Sequence, residues 1–202
     1  MITFKSPITL AIVAGSLVAT LVPGTSAYLA LQPAGLSSWL NPLFYAGIFG
    51  HIFVHSGLAH WANNMALILL LAPALERCFG SVRFIGAMGA LIFLIGVTES
   101  LVLIFTQHTV IGASDLVFAL ILMTTFAQSR RGEIPITSIL VAILWGVHEL
   151  GGLITKDAIA NSAHLAGAAW GFVWGLWLLP KEKEEKPAEP TEAAIQKPSL
   201  PQ

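Results

Sequence analysis

A chain of 202 residues that is 55% hydrophobic and 10% charged, with a mean hydropathy of +0.78, is too apolar for an ordinary water-soluble domain. Its net charge of −1 leaves no basic stripe to neutralise phosphates, so no nucleic-acid partner is expected. The single cysteine, Cys78, cannot form an internal disulfide, and no CxxC or Cys/His spacing suggests structural zinc.

Glycine, proline and charge divide the chain into six apolar segments, at about 7–22, 57–75, 82–105, 114–128, 135–153 and 161–179. The pattern predicts an all-α polytopic membrane protein, a six-helix bundle over 1–179, followed by a disordered, charged, solvated tail over 180–202. The first segment follows Lys5 and runs toward "GTSA", so a cleavable signal peptide is the alternative to a retained span. The connection over 23–56 carries Pro, Gly and aromatic residues but no charge. It is expected to face outward and lie partly in the membrane interface. The fourth segment is short for a span, which suggests that Ser114 at its start is recessed.

Orientation follows from the cations. Nine of the ten basic residues, Lys5, Arg77, Arg83, Arg130, Arg131, Lys181, Lys183, Lys186 and Lys197, fall on one side of this arrangement, and only Lys156 on the other. The positive-inside rule makes the crowded side cytoplasmic, with both termini inside.

Polar residues are few, and each is costly in lipid. "HIFVHSGLAHWANNM" places His51, His55, His60 and Asn64 at the outer entrance of the second segment, and His60 and Asn64, four apart, share a helix face. "VIGASDLVFAL" opens the fourth segment with Gly112, Ser114 and Asp115. "NSAHLAGAAWGFVWG" puts His164 one turn into the sixth, ahead of Gly167, Gly171 and Gly175, a spacing that lets another helix approach closely. Ser114, His164 and the His60/Asn64 pair therefore meet at one depth. A serine becomes nucleophilic when a neutral histidine takes its proton, and attack on an amide needs donors for the oxyanion. The Ser114 backbone N–H, His60 and Asn64 are the candidates. The spacings of His51, His55 and His60 match no familiar zinc motif and there is no HExxH, so no metal is expected. His108 reads as a wet loop residue; Glu99, His148 and Glu149 have no place in the dyad.

"HSGLAHWANNM", "ALERCFGS", "GAS" and "AHLAGAAWG" together resemble, in order and spacing, the motifs of the rhomboid intramembrane serine proteases, over nearly all of residues 45–178. The resemblance implies Ser114 as nucleophile and His164 as base of a Ser–His dyad. It also implies oxyanion roles for His60, Asn64 and Ser114, and supporting roles for His55, Gly112, Phe118, Gly167 and Gly171. Glu76 and Arg77 match a structural pair after the second helix. The activity implied is cleavage of single-span membrane proteins near the outer face of a bacterial-type inner membrane, in the lipid bilayer, without metal or cofactor.

Two positions depart from the family pattern. Asp115 stands where a glycine usually follows the serine, and Phe118 where a tyrosine is frequent. An acid in the first turn suits the helix dipole, and one step of rotation turns it from the Ser114 face, so Asp115 is expected to point outward and Asp115→Gly to retain activity. The same departure sustains an alternative, an inactive rhomboid-like protein that binds transmembrane clients. A transporter using Glu99, Asp115 and Glu149 is a third class, without the paired broken helices it would need.

Overall fold

The structure, a computed structural model, describes residues 5–35, 38–128, 136, 139–140, 143–144, 147 and 158–178. The helices are α1 (Pro7–Leu21), α2 (Thr25–Leu29), α3 (Pro42–Gly50), α4 (Leu58–Phe79), α5 (Ser81–Thr106), α6 (Ser114–Gln128) and α7 (Ala158–Leu178). Short 3-10 turns stand at Ser38–Leu40 and His51–Phe53. No strand occurs among the described residues beyond a single antiparallel bridge between Leu31 and Val110.

Five expected segments coincide with α1, α4, α5, α6 and α7 within a few residues. Most of the fifth, 135–153, with His148 and Glu149, and the tail from 179 onward lie outside the described residues. Leu58–Phe79 and Ser81–Val102 are long and apolar enough to cross a membrane, while Pro7–Leu21 and Ser114–Thr125 are shorter apolar helices. Large apolar side chains such as Leu70, Val82, Ile85 and Phe105 are exposed on the helix exteriors, as residues facing acyl chains would be. Inside, Met65, Ile68, Leu75, Phe84, Leu91, Ile95, Leu116 and Leu120 form one buried cluster between α4, α5 and α6.

Local chemistry sets the helix starts. Pro42 occupies the first turn of α3, where its missing N–H costs nothing, and the Asn41 side chain accepts from the Leu43 N–H at 3.0 Å. At α1 Ser6 makes no side-chain cap. The cap comes from 67 residues away: the Glu76 carboxylate accepts from the Ile8 and Thr9 N–H groups at 3.0 and 2.9 Å and from the Thr9 hydroxyl at 2.8 Å. Its other donor is the Ser81 hydroxyl, at 2.8 Å. Glu76 thus spends its carboxylate on the N-terminus of α1, where orphan donors and the dipole both favour an anion, and not on a pair with Arg77.

The 23–56 connection is folded back over the bundle. Leu31 exchanges two backbone hydrogen bonds with Val110, at 2.9 and 3.1 Å, and the Ala34 N–H reaches the Ser100 carbonyl at 2.8 Å. These ties hold the connection against α5 and the loop that precedes Ser114. On its far side Tyr28, Trp39, Leu40 and Phe49 are exposed.

Candidate active site

Ser114 is the first residue of α6 and His164 lies in the second turn of α7. The Ser114 hydroxyl donates to His164 Nε2 across 2.7 Å, joining residues 50 positions apart. Small residues make that distance attainable. A Cβ on Gly167 would strike the backbone of Asp115, and one on Gly171 the backbone of Ala119, so only glycine lets α7 lie this close to α6. Phe118, one turn beyond Ser114, stacks on the His164 ring with centroids 4.8 Å apart and planes at 25°. The aromatic face alone performs this contact, without the hydroxyl of a tyrosine.

On the opposite side of Ser114 stands Gly112, whose φ of +115° excludes ordinary side chains. A Cβ there would come within 2.8 Å of His60 Nε2 and 3.7 Å of Asn64 Nδ2, so both α4 residues face the backbone of this loop. His60 Nδ1 faces Ser56, taking the Ser56 N–H at 3.5 Å and lying 3.1 Å from its hydroxyl. An amide can only donate, so neutral His60 accepts at Nδ1 and carries its proton on Nε2, toward Gly112. Asn64 is 1% exposed, and its Nδ2 has no hydrogen-bond partner among the described residues. Buried donors are normally satisfied, so Asn64 Nδ2, facing the loop two residues before Ser114, is able to serve an acceptor there.

His55 does not enter this group. Its ring meets His60 edge-on at 4.9 Å and its Nδ1 lies 3.4 Å from the hydroxyls of Ser16 and Thr20 on α1. Burial, with some help from the neighbouring His60, pushes its pKa down to about 4, so it is neutral in any ordinary medium. His55 therefore supports His60 and ties it to α1.

Asp115 corrects the expectation of an outward side chain. It does turn from the Ser114 hydroxyl, but inward: it is 2% exposed and its Oδ2 accepts from His51 Nε2 at 2.8 Å. Glu99, also fully buried, accepts from the Ser162 hydroxyl at 2.8 Å, two residues before His164. Sequence reasoning missed both contacts. The available signal was that acids in apolar segments demand partners, and His51 was a nearby candidate. His108 is exposed, as expected.

A Rhomboid domain model matches residues 42–181. YdcA of Bacillus subtilis is 31% identical over 140 residues, covering 65% of this chain and 66% of its own length. Rhomboid protease GluP of the same organism is 32% identical over 127 residues, or 60% of this chain and 24% of GluP. RHOMBOID-like protein 4 of Arabidopsis thaliana is 30% identical over 132 residues, or 63% of this chain and 32% of that protein. The matched region spans less than two thirds of each relative's own length. The family model covers well over half of the chain, and with its apolar all-helical fold the protein belongs to the membrane-embedded rhomboid family.

Proposed function

We propose that this chain is an intramembrane serine endopeptidase that cuts single-span membrane proteins near the outer face of the membrane. The observation that carries the reading is the 2.7 Å contact from Ser114 to His164 Nε2, flanked by two donors, His60 Nε2 and Asn64 Nδ2, that converge on Gly112. In the reaction His164 removes the Ser114 proton as Oγ attacks the scissile carbonyl carbon. The oxyanion is met by the Ser114 backbone N–H, unpaired within the first turn of a helix, by His60 and by Asn64. The His164 imidazolium then gives its proton to the leaving amine. Water, deprotonated by the same histidine, hydrolyses the acyl-enzyme. No metal or cofactor takes part.

The substrate follows from the recess. Helical amides are bonded internally, so a target segment must unwind before its carbonyl reaches Ser114. Gly or Pro near its outer end favours cleavage, and small side chains suit the cut beside Gly112, Ala113 and Gly167. In the proposed topology six helices cross a bacterial-type inner membrane with both termini cytoplasmic. Cysteines placed in 23–56 of a Cys78→Ala chain are then labelled by an impermeant reagent added outside, and cysteines in 180–202 are not.

The deciding experiment is labelling by a fluorophosphonate probe together with cleavage of a single-span substrate, in the wild-type chain and Ser114→Ala. Labelling and cleavage that both vanish with Ser114 support the reading. Cleavage that survives Ser114→Ala refutes it. A wild-type chain that neither labels nor cuts, yet retains single-span clients, is the inactive rhomboid-like protein instead.

A further inference from the structure

The dyad makes no use of His51, Asp115 or Glu99, although all three are buried beside it. His51 is held at both ring nitrogens by groups that can only accept: Nδ1 donates to the Gly47 carbonyl at 3.1 Å and Nε2 to the Asp115 carboxylate at 2.8 Å. A histidine donating from both nitrogens is an imidazolium, so the contact with Asp115 is an ion pair. Burial alone would lower the His51 pKa, but the Asp115 charge and hydrogen bond, with help from the α3 backbone, more than offset it and hold it above the ordinary histidine value. The second Asp115 oxygen accepts from the Leu116 N–H at 2.6 Å. The His51 carbonyl, in turn, accepts from the Gly112 N–H at 2.9 Å. One residue of the outer connection therefore grips position 112 through its backbone and position 115 through its ring. Ser114 lies between the two grips.

We propose that the His51–Asp115 ion pair is the positioning element for the nucleophile, a bracket on residues 112–115 that fixes the angle at which Ser114 meets His164 and its oxyanion donors. The proposal rests on the protease reading above. A glycine at 115 has no side chain to be gripped, so this chain holds its nucleophile by a charge where the family pattern uses bare backbone. Asp115→Gly, expected from sequence alone to retain activity, then behaves like Asp115→Ala.

The bracket has a pH signature. The titratable groups facing His51 among the described residues are Asp115 on α6 and Glu99 on α5, the latter within electrostatic reach of both members of the pair. His55, on the same connection, faces α1 and His60. Because the His51 pKa is raised on folding, the contribution of its charged form is fully present just below the ordinary histidine value and is lost as pH rises through the raised value. Neutral His51 must then give up one of its two ring bonds. Nucleophile reactivity falls on the alkaline side for this reason.

The test uses the full-length protein in detergent micelles. The second-order rate of Ser114 acylation by a fluorophosphonate is measured against pH, with kcat and KM for a single-span substrate. Asp115→Ala should acylate about 10- to 100-fold more slowly, the scale of a small misplacement of a reacting group, with the loss in kcat and not in KM. Asp115→Asn keeps an acceptor for His51 without the charge and is nearly isosteric. It should recover part of the rate at neutral pH and move the alkaline limb down by about 1 to 3 units. The double variant His51→Gln/Asp115→Asn should be no slower than the slower single variant. If Asp115→Ala does not fold, the alkaline limb of Asp115→Asn decides alone. Unchanged rates and an unmoved limb in Asp115→Asn overturn the proposal, as does a loss confined to KM. These outcomes are read while Ser114→Ala abolishes labelling; persistent labelling of Ser114→Ala instead overturns the protease reading itself.

Discussion

Two ends of α4 carry buried polar groups, and they are built in opposite ways. At the Glu76 end one carboxylate accepts four hydrogen bonds from Ile8, Thr9 and Ser81. At the Asn64 end the account is incomplete: Asn64 Nδ2 and Glu99 Oε2 are buried without partners among the described residues. Leaving a buried polar atom unpaired costs on the order of 1 to 3 kcal/mol, and Asn64 Nδ2, which faces the Gly112 loop, can recover that cost from an acceptor bound beside Ser114. The Glu76 carboxylate, with its acceptor capacity used, holds helices together; the Asn64 amide keeps a donor that an incoming oxygen can take. The difference separates structure from function in a chain where both use the same residue types.

The strongest way to break this comparison is at the dyad. His164→Ala should lower turnover of a single-span substrate by on the order of 10⁴-fold or more, and the Ser114→Ala/His164→Ala double variant should be no worse, because groups acting as one unit are not additive. Additive losses, measured in turnover of purified protein, would show the two residues acting separately. Next in size is Asn64→Ala. An idle donor that serves the oxyanion should cost about 10- to 1,000-fold in kcat when removed. It should cost little in thermal stability, since Asn64 Nδ2 has no hydrogen bond to lose among the described residues. A variant that unfolds readily but turns over normally would place Asn64 with Glu76 on the structural side. Gly112→Ala sharpens the geometry: its φ of +115° and a Cβ only 2.8 Å from His60 Nε2 force the loop or the histidine to move. Acylation should slow by about 10- to 100-fold, and a rate equal to wild type would show that His60 needs no fixed place.

How much of this was legible in the sequence follows the same division. Ser114, His164, His60 and Asn64 stood out because polar residues in apolar segments are rare, and helical spacing placed them at one depth. The approach of His164 to Ser114 owes its closeness to Gly167 and Gly171, also visible as a small-residue ridge, and that of His60 and Asn64 to Gly112. Five described helices were legible within a few residues because glycine, proline and charge mark their ends, whereas α2 and α3, inside the 23–56 connection, were not. The partners of the acids were not. Glu76 reaches α1 across 67 residues, Asp115 reaches His51 across 64 and Glu99 reaches Ser162 across 63, and no local periodicity encodes which distant donor an acid will find. Asp115 was read as outward because rotation by one residue gives an angle relative to Ser114, but not what occupies that direction. The connection over 23–56, which reads only as uncharged and aromatic, packs its α3 end, and His51 with it, into that space.

The smallest effect on activity is expected at Glu76, and it is the cleanest control on the comparison. Glu76→Ala strips the α1 N-terminus of its cap and leaves the Ile8 and Thr9 N–H groups without an acceptor, a loss of about 2 to 4 kcal/mol by the usual value of hydrogen bonds to a carboxylate. Glu76→Gln keeps one acceptor but turns an NH2 toward a donor, so it should lie between Ala and wild type. The apparent melting temperature in detergent should follow that order. Catalysis should not. Glu76 stands sixteen residues beyond His60 on α4, roughly 24 Å at 1.5 Å per residue. Effects at such separations are independent to within about 0.5 kcal/mol, so acylation per folded molecule should stay within roughly twofold of wild type. The decisive measurement is fluorophosphonate labelling at a temperature where each variant is folded. A Glu76→Ala chain that is fully folded there and still labels tenfold more slowly would mean that α1 transmits strain to the site through its contacts with His55. The two ends of α4 would then be one mechanical unit, and saturation of hydrogen bonds would no longer tell structure from function.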